Sequence, residues 1–310
     1  MKKRVFPIIA ALAVLAGAFA LWIGKEQKKY TSTGFAMGSV LTQTWWRRDH
    51  ADFVLEKMQQ TEKWISELTE APPLAVEIME ASGGAYNPYL GALARLWNID
   101  SKDGSPPYVP TQEEIGEALQ KRELDLGAYG KGAACETLIY TIFEFSSHGS
   151  AVINLGGNIH TYGQKPWWQP FKISLRDPMG SPNDMLGLFT LKGTHFISTS
   201  GSYEKYFEQD GVRYHHIFDP ETGYPTQREP GLASVTVVTR AGGQPKQPGA
   251  TGDMISTACF VLGYENSLDL LEKYACDAIF VYENGEVRAA GAVLDYFEIT
   301  NAAYRIGARP

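Results

Sequence analysis

With 310 residues, 44% of them hydrophobic and 20% charged, the chain is long and apolar enough to bury a full core, which excludes an extended disordered protein. Its formal net charge is −7; loss of Lys2, Lys3 and Arg4 with an export segment leaves 25 basic against 35 acidic residues, a net of −10. A surface of that sign repels phosphodiester backbones, and the absence of a basic patch in the sequence sets nucleic-acid binding aside.

Basic residues 2–4 are followed by an almost wholly apolar run over 5–23 with Pro7 and Gly17, the layout of an export signal. Ala18-Phe19-Ala20 satisfies the small-x-small cleavage rule, while ~19 apolar residues just suffice to span a bilayer. Residues 1–24 are therefore a signal peptide or an N-terminal anchor, and the retained anchor is the preferred reading. Leu15-Ala16-Gly17 begins like a lipoprotein signal, yet Ala18 stands where the lipid-bearing cysteine is required. The three cysteines, Cys135, Cys259 and Cys276, are odd in number and unpaired in spacing, so they read as buried core residues, not as a zinc or disulfide site.

The folded domain is expected over 30–310 and turns strand-like at Tyr30, with an interruption at 34–38. Val54, Met58, Ile65 and Leu68 recur at helical spacing and predict a helix over 52–68, closed by Pro72-Pro73. Helices are expected over 74–81, ended by Gly83-Gly84, and over 88–97, with a loop over 101–110. Thr111 followed by Glu114 is a capping box that starts a helix reaching about Lys121.

Residues 124–131 read as a short strand and a glycine-bracketed turn, with a helix from Gly132 to Phe145. A buried strand over 151–155 is broken by Gly156-Gly157. Further strands are expected over 172–175, 188–191, 195–198, 213–218 and 232–238, the last alternating Ala233, Val235 and Val237 against Ser234 and Thr236 as a half-buried strand does. A helix over 252–262 stops at Gly263, and Asn284-Gly285 joins strands 277–282 and 286–290 as a hairpin. The sum is an α+β domain with mixed or antiparallel sheets and flanking helices.

Four glycine-punctuated clusters call for a common explanation: Met37-Gly38, 124–131, 154–158 and 200–224. Within the last, His215 and His216 are adjacent in a strand and so point to opposite faces, which argues against joint metal ligation. Asp253 and Thr257 stand four apart on a helix and share a face; a carboxylate and a hydroxyl suit a hard cation such as Mg²⁺, although two ligands are too few alone.

These clusters occur in the order FAMGS at 35–39, LDLGAYGKG at 124–132, INLGGNIHTYG at 153–163, STSGSYEKYF at 198–207, YHHIFDPETGYP at 214–225 and DMISTACFVLG at 253–263. In that order they resemble the ApbE family of FAD:protein FMN transferases, over nearly the whole exported part. The resemblance implies a T-fold-like domain of two lobes around a flavin cleft, with FAD as substrate and a magnesium ion at its pyrophosphate. It implies metal contacts from the Asp253 and Thr257 side chains and from the Ala128 carbonyl. It places Met37, Ala85, Tyr86, Asn87, Asp125, Lys131 and His216 against the cofactor.

The reaction so implied is attack of an acceptor threonine on the flavin-side phosphorus with release of AMP, with His216 or Asp253 taking the hydroxyl proton. The implied partner is a membrane redox protein, met on the periplasmic side. Two departures stand out: the segment 64–73 is shorter than is usual in the family, with Trp64 as a substitute aromatic, and Asn87 stands where Asp is common. Pro248-Gly249-Ala250-Thr251 echoes the family's acceptor motif and reads as a loop and cap. The alternatives carried forward are an FAD pyrophosphatase of the same fold and a non-catalytic assembly module.

Overall fold

The computed structural model describes Gly17 and residues 28–47, 49–101, 104–145 and 149–307, so the expected export segment, Gly17 apart, lies outside the described residues. Its framework is a nine-stranded sheet. In chain order it takes in β1 (Lys29–Ala36), β2 (Ser39–Trp46), β3 (Ser150–Leu155), β4 (Asn158–Gly163), β7 (His195–Gly201), β10 (Leu232–Arg240), β11 (Asp277–Tyr282), β12 (Glu286–Ala290) and β14 (Arg305–Ile306). Those strands are also neighbours in that order, and every pairing is antiparallel except β12 with β14. A three-stranded sheet of β5 (Phe171–Arg176), β6 (Met185–Leu191) and β13 (Phe297–Ile299) lies on one face, and β8 (Tyr206–Gln209) with β9 (Val212–His215) forms a separate hairpin. Helices α1 (Ala51–Ser66), α2 (Pro73–Ala81), α3 (Gly91–Trp97), α4 (Gln112–Gln120), α5 (Gly127–Phe145) and α6 (Pro248–Lys273) complete the α+β domain.

Alternation along the central strands explains the layering. Val235, Val237 and Phe280 face α6, where Met254, Ile255, Ala258 and Phe260 cover them, while Val238, Ile279 and Val281 face Phe171, Phe189 and Phe297 of the smaller sheet. β10 is therefore buried on both faces from Leu232 to Thr239, not half-buried as its alternation suggested. Ser234 and Thr236 are tolerated inside because short hydroxyl side chains find local partners; Thr236 Oγ1 lies 2.9 Å from Thr199 Oγ1.

Several expected boundaries hold. The capping box is formed, with Thr111 Oγ1 accepting from Glu114 N at 3.3 Å and Glu114 Oε2 accepting from Thr111 N at 2.8 Å, and all three cysteines are free and buried. Others need correction. α5 begins at Gly127, so the expected turn over 127–131 is the first turn and a half of helix, and α3 begins at Gly91, not at 88. β9 ends at His215, because Phe218 instead bridges to Pro225 across a tight turn.

Residues 248–251 are neither loop nor cap but the buried first turn of α6, whose Pro248 needs no intrahelical N–H partner. The first helical stretch of α6 does stop at Gly263, as expected: φ 74 and ψ 177 lie outside helical space, and a second helical stretch runs on to Lys273. β4, β8, β13 and β14 have no counterpart in the sequence reading.

His160 on β4 is buried edge-on to Phe196, with ring centroids 4.8 Å apart and neither ring nitrogen hydrogen-bonded. Burial pushes its pKa down to about 3. The unfolded chain protonates this ring as pH falls below about 6.5 and the folded one does not, so stability is expected to fall by about 1.4 kcal/mol per pH unit below that point. His160→Phe is expected to flatten this dependence in urea melts taken between pH 7 and pH 5.

Candidate active site

Three turns and two helices meet at one end of the large sheet. Met37 and Gly38 close the β1–β2 hairpin with φ of 53° and 65°, the left-handed pair that a two-residue turn requires. The Met37 N–H donates to Glu62 Oε2 at 2.9 Å, and a Cβ on Gly130 would lie 3.0 Å from Met37 Cε. The methionine is thus laid on the first turns of α5. Gly156, in the β3–β4 turn, is equally constrained: a Cβ there would fall 2.5 Å from Ser39 Oγ, with Lys131 Cδ at 3.7 Å. The small residues are what let two hairpin turns reach α5.

The start of α5 is fixed from the sequence upward. Asp125 Oδ1 accepts from Gly127 N at 2.8 Å and so caps an otherwise unpaired amide, while the Asp125 N–H donates to the Pro88 carbonyl at 2.8 Å. That second bond brings in the segment Ala85-Tyr86-Asn87, whose own path is set by Tyr86 N–H donating to Ser82 Oγ and by Asn87 Oδ1 accepting from Tyr89 N at 2.9 Å. The Tyr86 hydroxyl is buried without a hydrogen-bond partner. Burial, then the charges of Asp253 and Asp125, raise its pKa, so it stays a neutral donor awaiting an acceptor.

α5 and α6 cross in contact at two glycines. A Cβ on Gly132 would stand 2.2 Å from the Gly249 carbonyl oxygen, and one on Gly249 would stand 2.5 Å from the Gly132 carbonyl oxygen. This approach lets the Gly132 N–H donate to Asp253 Oδ2 at 2.9 Å. In an α-helix that amide stands one turn after the Ala128 carbonyl, so the carboxylate is delivered to the turn that Ala128 occupies. Burial raises the Asp253 pKa; Lys131, the Asn158 side-chain amide and the Gly132 N–H oppose the rise. Asn158 acts by proximity, since its Nδ2 makes no hydrogen bond of normal length.

One turn along, Thr257 Oγ1 lies 3.1 Å from Ser200 Oγ, which is also 2.8 Å from Ser256 Oγ. The Ser256 hydroxyl in turn donates to the Asp253 carbonyl at 2.8 Å. Ser200 and Ser256 are site residues that sequence reasoning passed over; both sit inside the motifs quoted above, where Ser200 reads as part of a glycine-punctuated turn and Ser256 as an ordinary helix residue.

The two histidines diverge as strand geometry requires. His215 is buried, its Nε2 2.8 Å from the Thr226 carbonyl and its Nδ1 accepting from Ile217 N at 3.2 Å. His216 is half-buried on the other side, its Nδ1 3.3 Å from the Lys205 carbonyl. A carbonyl only accepts, so Nδ1 carries the hydrogen and Nε2 keeps its lone pair. Burial, then the neighbouring His215 and Lys205, push the His216 pKa down to about 4; Lys131 contributes in the same direction.

The charges of Asp253 and Asp125 act on Tyr86, and that of Lys131 acts on Asp253 and His216, which groups these five residues around one site. Met37 reaches it through Gly130, Ala128 through the first turn of α5, and Thr257 by sharing a helix with Asp253. Asn87 is bonded to Tyr89 and joins the group only as the neighbour of Tyr86. Trp64, the expected substitute aromatic, is exposed on α1.

Among the described residues, no three His, Cys, Asp or Glu side chains gather as a metal site. A metal here would rest on the Asp253 carboxylate, the Thr257 hydroxyl and the Ala128 carbonyl. That all-oxygen set, with a desolvated carboxylate on which the charge of Lys131 acts, fits a hard divalent cation.

Residues 47–280 match the profile of the ApbE family, which is three-quarters of the chain, and the chain belongs to that family. The FAD:protein FMN transferase of Treponema pallidum is 32% identical over 270 residues, covering 74% of this chain and 69% of that protein. A protein of the same name from Klebsiella pneumoniae is 33% identical over 241 residues, covering 72% and 71%. Among solved structures, the ApbE protein of Thermotoga maritima superposes with a TM-score of 0.74 at 26% identity, over 87% of this chain and 99% of that one.

Proposed function

We propose that this chain is an FAD:protein FMN transferase that moves FMN from FAD onto a threonine of an acceptor protein and releases AMP, with Mg²⁺ required. The single observation that carries the reading is the buried Asp253 carboxylate, held at the first turns of α5 with the charge of Lys131 acting on it. Asp253, Thr257 and the Ala128 carbonyl would hold the cation, which when bound neutralises charge on the pyrophosphate oxygens. The flavin would lie against Met37, Tyr86 and Asp125, at the end of the large sheet where the two hairpin turns reach α5.

The remaining steps belong to the chain's own groups. Lys131 offers its ammonium to a phosphate oxygen, and the buried Tyr86 hydroxyl offers a hydrogen bond. The acceptor hydroxyl attacks the flavin-side phosphorus, the bond from that phosphorus to the AMP oxygen breaks, and the hydroxyl proton passes to His216 Nε2. His216 suits this role because the Lys205 carbonyl holds Nδ1–H and leaves the Nε2 lone pair free at neutral pH; burial weakens Nε2 as a base, and the charge of a bound phosphate would offset this. Asp253 is the less suited base, since a carboxylate that holds a cation has its lone pairs engaged.

We further propose that the enzyme works on the periplasmic face of the inner membrane, held by residues 1–24, with a membrane redox protein as acceptor. The apolar run over 5–23 supports this. Incubation with FAD, Mg²⁺ and acceptor, followed by fluorescence of a denaturing gel, tests the activity: transfer gives a fluorescent acceptor band, whereas a pyrophosphatase gives free FMN and no band. His216→Ala is expected to slow transfer by about 10²-fold with FAD affinity retained. Transfer at the wild-type rate in that variant would remove His216 from the proton step.

A further inference from the structure

The end of the large sheet opposite the site is built differently. In the strand register Lys29 lies beside Trp46, Trp46 beside Ser150 and Ser150 beside Gly163, so these four form one row. At ~3.4 Å per residue, β1 carries that row roughly 25 Å from the Met37 turn. Just beyond Gly163, the turn Pro166–Trp168 presents two tryptophans in left-handed backbone, with φ of 60° and 56°. Trp167 is 46% exposed and Trp168 76% exposed. Large side chains rarely adopt this conformation, and here it turns two of the chain's largest apolar groups toward solvent.

Cations surround that turn. Lys165 Nζ lies 4.7 Å from the Trp46 ring and donates to the Pro170 carbonyl at 3.3 Å. Burial and then the charge of Lys29 lower the Lys165 pKa, which places the start of β1 beside the tryptophan turn. Next to Pro170 a cavity of about 240 Å³ opens between Lys192, His195, Arg240 and Tyr296. Arg240 Nε–H donates to His195 Nε2 at 3.2 Å, which steadies the guanidinium. Asp277, whose charge acts on His195, is already engaged by the Tyr296 hydroxyl at 2.5 Å and the Ala292 N–H at 2.7 Å. The cavity is left with two cationic groups and no competing anion on its lining.

Only residues 24–28 separate the apolar run from β1, a tether of about 18 Å at full extension. A chain anchored by residues 5–23 cannot carry this rim far from the bilayer. We propose that the rim of Lys29, Lys165, Trp167, Trp168, Lys192 and Arg240 rests on the anionic surface of that same bilayer. The indoles enter the interface, where amphipathic rings are favoured, and a lipid phosphate occupies the Arg240 cavity. The site then faces away from the membrane, toward an acceptor domain standing above it. This rests on the retained-anchor reading.

The three native cysteines are buried, so one introduced thiol can be labelled selectively. The full chain carrying Gln169→Cys, beside Trp168, or Gln209→Cys, on the β8–β9 hairpin, is labelled with an environment-sensitive dye and reconstituted into vesicles containing phosphatidylglycerol. Emission at 169 is expected to shift blue and at least double in intensity, while emission at 209 stays unchanged. Trp167→Ser with Trp168→Ser is expected to halve the gain at 169 and to leave FMN transfer in detergent unaltered. A solvent-like signal at 169 from a chain that still floats with the vesicles would overturn the docking while sparing the anchor, and failure to float would overturn both. An equal gain on phosphatidylcholine vesicles would remove the role given to Lys192 and Arg240.

Discussion

Asp253→Asn is expected to lower FMN transfer by about 10³-fold, a loss of roughly 4 kcal/mol of transition-state stabilisation, while the protein melts no lower than the wild type. The asparagine carbonyl can still accept from the Gly132 N–H, so the α5–α6 contact survives. What is lost is the negative charge. Burial holds the Asp253 pKa above its ordinary range, which means the folded protein without a cation disfavours the ionised form. Neutralising the position therefore relieves the fold and disables the site. Transfer to an acceptor and differential scanning calorimetry, each with and without Mg²⁺, read the two effects separately, and magnesium is expected to raise the melting temperature of the wild type alone. A variant that keeps magnesium-dependent transfer would dismiss Asp253 as the cation's ligand.

Gly132→Ala is expected to destabilise the protein by about 3 kcal/mol, enough to lower the melting temperature by several degrees, and to abolish transfer. The added methyl would stand 2.2 Å from the Gly249 carbonyl oxygen and 2.8 Å from Asp253 Cβ. Neither is the end of a flexible side chain, so α5 and α6 must separate, and the Gly132–Asp253 hydrogen bond separates with them. Gly116→Ala on α4 is the matched control. A Cβ there meets nothing within 4 Å, and relief of glycine's backbone entropy is expected to stabilise the helix by up to ~1 kcal/mol. The same chemical change thus has opposite signs at two helical glycines, which thermal melts of the pair would show. Similar melting temperatures for the two variants would mean that the crossing has room that the geometry denies.

The placement of the site was legible wherever a local rule acts alone. The Thr111 and Glu114 capping box, the opposed faces of His215 and His216, and the shared face of Asp253 and Thr257 all follow from spacings of one to four residues. Legibility failed where a distant partner sets the outcome. Residues 127–131 carry two glycines and read as a turn, yet they are helical because Asp125 caps the segment and α6 lies against it. β10 shows a half-buried pattern but is covered on both faces, since a small second sheet assembled from residues more than a hundred positions apart closes its outer side.

By itself the sequence determined the α+β class, the order of the motifs, the family likeness and the residue types able to serve a phosphate and a hard cation, because each of these depends on near neighbours in the chain. Only the tertiary structure decided that Gly132 and Gly249 touch, that their contact hands Asp253 to the first turns of α5, and that Ser200 steadies Thr257. Those three facts depend on separations of 57 to 121 residues, and no periodicity in a single sequence encodes a distance across two packed helices.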